Sequence, residues 1–209
     1  MLISEIKQLK NGRYGLFEAG RFVLSIDADT YLESGVSAGD ELGEDELETL
    51  RVCAEKRKAA DKALTLLTLR DQSAEELRRK LRRSVSDEAA QAATEKMRKL
   101  GLVDDERYAN ALAQELYERR FFGERRVEYE LGRRGVSREL ASEIARELDT
   151  DPEARALTLL KKKYPRGLEG EAGRRRAAAL LERNGYGWEE SRHALDEFQN
   201  NDGTDEDAD

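Results

Sequence analysis

LGRRGVSREL, residues 131–140, runs from a leucine through basic residues to a glycine, then an apolar residue and the polar start of a new helix. At 181–190, LERNGYGWEE repeats the plan. With an offset of 50 residues, Leu131, Gly135, Val136 and Leu148 fall on Leu181, Gly185, Tyr186 and Phe198. A glycine after the last helical leucine supplies the left-handed backbone that ends a helix, and the apolar residue behind it turns the chain inward. Recurrence at a fixed long period marks a repeat architecture.

The same offset places Leu81 on Leu131, although RRSVS in the earlier segment is one residue shorter and lacks the glycine. The helices before these turns match at an offset of 47, with Ala109, Leu112 and Tyr117 on Ala156, Leu159 and Tyr164; the loop near Pro165–Gly173 absorbs the difference. Three units of about fifty residues follow, each of three helices of ~10–15 residues. Ser73-Ala74-Glu75-Glu76 and Ser86-Asp87-Glu88-Ala89 supply hydroxyl caps and early carboxylates, and Ser73 with Glu76 has capping-box spacing.

Between the first two units lies GLVDDERYA, 101–109. Gly101 ends one helix, Leu102 and Val103 turn inward, Asp104 or Asp105 caps the next, and Glu106 suits its dipole. Tyr108 and Leu112, four apart, face the core. Cap chemistry accounts for the stretch without a ligand.

Ahead of the repeats, residues 2–9 alternate loosely and RYGLFEAGRFVLSID (13–27) reads as two strands around Glu18-Ala19-Gly20, followed by a short helix in DADTYLESGV. Gly43 to Arg70 contains no breaker, starts acidic and turns basic, which suits one long helix or two in close succession. The expected fold is therefore mainly α: three tandem three-helix repeats in an elongated, curved array, preceded by a small segment containing a β-hairpin. The divisions are 1–42 for this leader, 43–103, 104–149 and 150–199 for the repeats, and 200–209 for an acidic tail, NNDGTDEDAD, too polar to bury anything.

Composition agrees. Of 209 residues, 38% are apolar and 39% charged, which suits thin helical layers better than a thick globule. A single cysteine, Cys53, excludes an internal disulfide, and no apolar run approaches the ~20 residues of a membrane span, so the setting expected is the cytoplasm. The net charge of −8 is unevenly spread. Residues 1–50 hold 4 basic and 11 acidic side chains, whereas residues 51–150 hold 23 and 20. An acidic total thus covers a weakly basic middle.

GLVDDERYA, the ALTLLTLRDQSAEELRRKL before it (63–81), the YELGRRGVSRELASEIARELD after it (129–149) and the threefold period resemble the RecX regulators of the bacterial recombinase RecA. The likeness covers about residues 1–200. It implies a modular helical protein that lies in the groove of the RecA filament on single-stranded DNA and damps its ATPase, strand-exchange and coprotease activities, although some members stimulate recombination. Repair and the SOS response are the implied setting, with weak direct DNA contacts and a monomeric chain.

The contact candidates are basic. Arg78, Arg79, Lys80, Arg82 and Arg83 lie on a helix anchored by Leu77 and Leu81; Arg125, Arg126, Arg133 and Arg134 occupy the corresponding helix of the second unit, and Arg174, Arg175 and Arg176 that of the third. One continuous stripe would bind phosphate with a strong salt dependence; the plainer alternative is a set of solvated faces balanced by Glu75, Glu76, Glu128 and Glu130. Phe121-Phe122, before Gly123 and between basic pairs, would be an exposed partner anchor, and Trp188 would staple a helix start. Gly101, Asp104, Asp105, Tyr108, Gly135 and Gly185 are structural.

Enzymatic and cofactor readings find no support. His193 is the only histidine and Cys53 the only thiol, so neither a multi-ligand His/Cys metal site nor a Cys–His dyad is suggested, and neither G-x-x-x-x-G-K-[ST] nor G-x-G-x-x-G occurs. A helical scaffold for other proteins and a direct DNA-binding array share the repeats and the arginines; neither would couple to a recombinase.

Overall fold

The computed structural model describes residues 1–10, 12–148 and 151–202, and the side chains only through Asn200. Two compact units divide between Asp104 and Asp105. Both are predominantly helical, and the first also carries a small sheet.

In the first unit, β1 (Glu5–Gln8), β2 (Tyr14–Glu18) and β3 (Arg21–Ile26) form an antiparallel sheet in the order β1-β2-β3. The β2–β3 turn is two residues long, with Ala19 at φ +46° and Gly20 at φ +79°. This paired left-handed turn matches strand twist. Asp27 caps α1 (Ala28–Ser34), its Oδ1 accepting from the Thr30 amide at 2.9 Å. The leader is thus a three-stranded sheet rather than a hairpin alone.

Gly43 to Arg70 resolves as a single helix, α2 (Glu44–Leu69), of 26 residues and about 39 Å at 1.5 Å per residue. It serves two cores. Leu47, Leu50 and Ala54 close over Ile3, Leu16, Leu24 and Ile26 of the sheet, while Ala59, Ala60 and Ala63 further along pack with Leu77, Leu81, Val85 and Met97. The latter come from α3 (Ala74–Leu81) and α4 (Asp87–Lys99). Alanines on the α2 side let the helices approach closely, and both partners are hydroxyl-capped: Ser73 accepts from the Glu76 amide and Ser86 from that of Ala89.

The second unit holds two three-helix repeats. α5 (Asp105–Arg120), α6 (Glu124–Arg133) and α7 (Arg138–Leu148) enclose Tyr108, Ala113, Val127, Leu131, Val136 and Ile144. α8 (Pro152–Lys163), α9 (Gly170–Arg183) and α10 (Trp188–Asp202) enclose Leu157, Leu160, Leu181, Tyr186, Leu195 and Phe198. Gly101, Gly135 and Gly185 all have positive φ, +69°, +85° and +90°. Behind each, an amide returns to the last helical turn: Val103 to the Met97 carbonyl, Val136 to that of Leu131, Tyr186 to that of Leu181. These residues are buried, whereas Leu102 is 42% exposed and does not turn inward; one inward side chain fills the corner.

α10 continues through Asp202, so residues 200–202, assigned by the sequence reading to a tail, extend the helix. Residues 203–209, the remainder of that tail, and the division at 149/150 lie outside the described residues.

Candidate interaction surface

The second and third repeats meet backbone to backbone. The Gly123 amide donates to the Asn184 carbonyl at 2.8 Å, and the Tyr186 hydroxyl donates to the Phe121 carbonyl at 2.9 Å. Arg155 from α8 crosses the same joint, donating to the carbonyl of Phe122 at 2.6 Å and lying over the Tyr117 ring. No side chain fits between the glycines: a Cβ on Gly185 would stand 2.4 Å from the Arg126 amide nitrogen, and one on Gly123 2.9 Å from the Gly185 carbonyl oxygen.

This joint corrects the reading of the phenylalanines. Phe121, at φ +57°, packs against the third core and Phe122 against the second; both are half-buried, so they bridge two cores and are no free anchor. Trp188 is corrected in the other direction. It is 72% exposed, with the Arg192 guanidinium 4.9 Å from its ring, and staples nothing.

The basic middle helices differ in how their charges are used. On α3, Arg78 grips Asp87 through Nε and Nη2 at 3.1 and 2.7 Å, and Arg82 adds 3.1 Å. The hydrogen bond from Arg78 holds the Asp87 carboxyl below its ordinary range. Lys80 reaches Glu76 at 3.0 Å and Gln72 at 2.7 Å, and Arg70 also binds Glu76. Burial by itself would raise Glu76, but hydrogen bonds and charge from Arg70 and Lys80 outweigh it and leave that carboxyl lowered. Only Arg79 and Arg83 of this group stand exposed without an ion pair among the described residues.

In the third repeat Arg174 is held by Asp196 at 2.5 Å and by Gln199, Arg175 bonds the Glu171 carbonyl, and Arg176 is exposed. The two sets also occupy different stations. With Leu81, Leu131 and Leu181 in register, Arg78, Arg79 and Lys80 fall on Glu128, Tyr129 and Glu130 and then on Ala178, Ala179 and Leu180. Only Arg83, Arg133 and Arg183, the last also exposed, repeat at one position in all three repeats; Arg125 and Arg126 align with Arg175 and Arg176, but the first repeat has Glu75 and Glu76 there. The sequence reading passed over Arg183, although the offset of 50 identifies it.

On α6 the arginines gather round an aromatic ring. Tyr129 is 55% exposed, with the Arg126 and Arg133 guanidiniums 5.2 and 5.8 Å from its centroid. Arg126 also pairs with Glu130 at 2.7 Å, which Arg133 meets at 3.4 Å, and Arg134 caps the helix. Beside the ring lies an open depression of about 560 Å³ between α6 and α7, with Val136 and Ala141 at its floor and Arg125, Arg133 and Arg138 at its margin.

His193 lies 2.9 Å from Glu153 across α8 and α10, far along the chain from exposed Cys53. Asp104 immediately precedes α5 and Asp105 begins it. Among the described residues no three His, Cys, Asp or Glu side chains are placed to hold a metal, and no helix is long and apolar enough to cross a membrane.

Residues 104–143 match the family model described as RecX, second three-helix domain. Regulatory protein RecX of Caldanaerobacter subterraneus subsp. tengcongensis is 30% identical over 146 residues, covering 69% of this chain and 74% of the relative. That of Trichlorobacter lovleyi is 38% identical over 131 residues, 59% and 84% of the two chains. The chain belongs to the RecX family of regulatory proteins. A crystal structure of regulatory protein RecX shares this RecX-family fold at a TM-score of 0.65 and 19% identity, over 93% of this chain and 98% of the other. RecX from Lactobacillus salivarius superposes at a TM-score of 0.59, also at 19% identity, over 69% and 97%.

Proposed function

We propose that this RecX-family chain is a cytoplasmic, non-enzymatic regulator that binds the RecA filament on single-stranded DNA and restrains its ATPase, strand-exchange and coprotease activities. Family membership carries the reading. Its physical support is the tandem repeat plan: successive repeats present successive surfaces, which suits a partner that is itself a polymer better than a small substrate. The acidic termini disfavour tight binding to bare DNA, while the weakly basic middle meets phosphates already held in a filament. ATP is hydrolysed by RecA and not by this chain.

The test is a titration of RecA's DNA-dependent ATPase and strand exchange with the purified protein, beside its binding to protein-free DNA at physiological salt. Both RecA activities are expected to fall, with filament bound more tightly than bare DNA. Unchanged RecA activity at saturating protein overturns the proposal; ATP hydrolysis without RecA overturns its non-enzymatic part.

A further inference from the structure

The depression beside Tyr129 is lined in part by residues that the other two repeats do not share. Its two defining positions, Tyr129 and Gly132, are Arg79 and Arg82 in the first repeat and Ala179 and Glu182 in the third. Gly132 has no backbone reason to be glycine. It lies in the last turn of α6, outside the left-handed region, and a Cβ there would meet nothing within 4 Å. Glycine in a helix costs about 1 kcal/mol relative to alanine. Here the missing side chain opens the depression next to an exposed ring.

The ring's neighbours say what the depression suits. Arg125 and Arg138 are exposed and have no ion pair among the described residues, and Arg133 keeps only a 3.4 Å contact with Glu130. Glu128 is the one carboxylate among the lining residues, so the margin is net positive. A half-exposed aromatic ring flanked by guanidiniums, an apolar floor and a net-positive rim are the parts of a platform for single-stranded nucleic acid: bases stack on the planar groups and phosphates meet the arginines. An acidic peptide would use the charges but would leave the ring and the apolar floor without a planar partner.

We infer that the α6–α7 depression is a single-strand contact site, with Tyr129 stacking a base and Arg125, Arg133 and Arg138 holding the flanking phosphates. The inference rests on the filament reading and deepens it by naming the surface that meets the strand. Its test needs no RecA.

The measurement is fluorescence anisotropy of a labelled oligo-dT of about 20 nucleotides, a length exceeding a typical single-strand site, at low salt, with an abasic strand of equal length as comparison. The full chain is expected to bind oligo-dT more tightly than the abasic strand. Tyr129→Ala should weaken oligo-dT binding about tenfold or more, while Tyr129→Phe keeps it. Gly132→Leu, which fills the depression from an exposed position, should weaken it similarly without lowering the melting temperature. Equal affinity for the two strands, unchanged binding by Tyr129→Ala, or displacement of oligo-dT by poly-glutamate at matched charge would each overturn the site. If Tyr129-dependent binding is found but RecA's ATPase does not respond to the wild-type chain, the filament reading falls and the strand site stands.

Discussion

α3 and α6 are the middle helices of successive repeats, and each carries a conspicuous group of cations. On α3 most are bound to neighbours: Arg78 and Arg82 to Asp87, Lys80 to Glu76 and Gln72. On α6, Arg126 and Arg133 flank an exposed tyrosine, and Arg125 points into solvent without a carboxylate. A similar arginine content thus ties α3 to the following helix in one repeat and gathers beside an exposed ring in the next. What differs is where the carboxylate lies: Asp87, which holds Arg78 and Arg82, is on the next helix, whereas Glu130, which meets Arg126 and Arg133, is on α6 itself.

The largest effect expected is at the seat of α6. Gly185→Ala forces a left-handed β-carbon into the backbone of Arg126, so the second unit should lose about 2–5 kcal/mol, read by urea unfolding. A loss below about 1 kcal/mol would show that the joint does not hold α6 in place.

On α3 the changes should register as stability. Replacing both Arg70 and Lys80 by alanine strands the nearly buried Glu76 carboxylate, at a cost of about 3 kcal/mol. Acid probes the same bonds. Glu76 and Asp87 are both lowered, so their contribution is complete above the ordinary carboxylate value of about 4 and is lost as the pH falls from there through their folded values. Thermal melts should weaken across that range, and Glu76→Gln should flatten the dependence.

Smaller in free energy, and specific to binding, is charge reversal on the second repeat. Arg125→Glu with Arg138→Glu should lower affinity for the RecA filament about tenfold and reduce the salt dependence by about one unit per lost phosphate contact, with little change in melting temperature. Arg78→Glu with Arg82→Glu should do the reverse, lowering the melt more than the affinity. If α3 reversal abolishes filament binding in a fully folded protein, the contrast between the helices is wrong. Smallest of all, Gly132→Ala should raise stability by no more than about 1 kcal/mol; a loss would mean that α6 needs the glycine for its own backbone.

Much of the fold was legible because its signals are local. Glycine stops at 101, 135 and 185, hydroxyl caps at Ser73 and Ser86 and the Ala19-Gly20 turn each act within a few residues of themselves. The use of the arginines was not legible. Asp87 lies nine residues from Arg78, Asp196 lies 22 from Arg174, and the Tyr186 bond to Phe121 spans 65, distances at which no periodicity tells which partner is met. The same limit hid the half-burial of Phe121 and Phe122: both look like a loose aromatic pair until Phe121 meets the third core and Phe122 the second. Arg183 and the peculiarity of Gly132 were readable from the offset of 50, once the three middle helices are aligned residue by residue.

The contact between Gly123 and Gly185 sets the step from the second repeat to the third with main-chain atoms, braced by the side chains of Tyr186 and Arg155. Exposed side chains elsewhere along both repeats are therefore free to drift, altering what the surface recognises, while the pitch between neighbouring modules stays constant like the spacing of teeth on a rack.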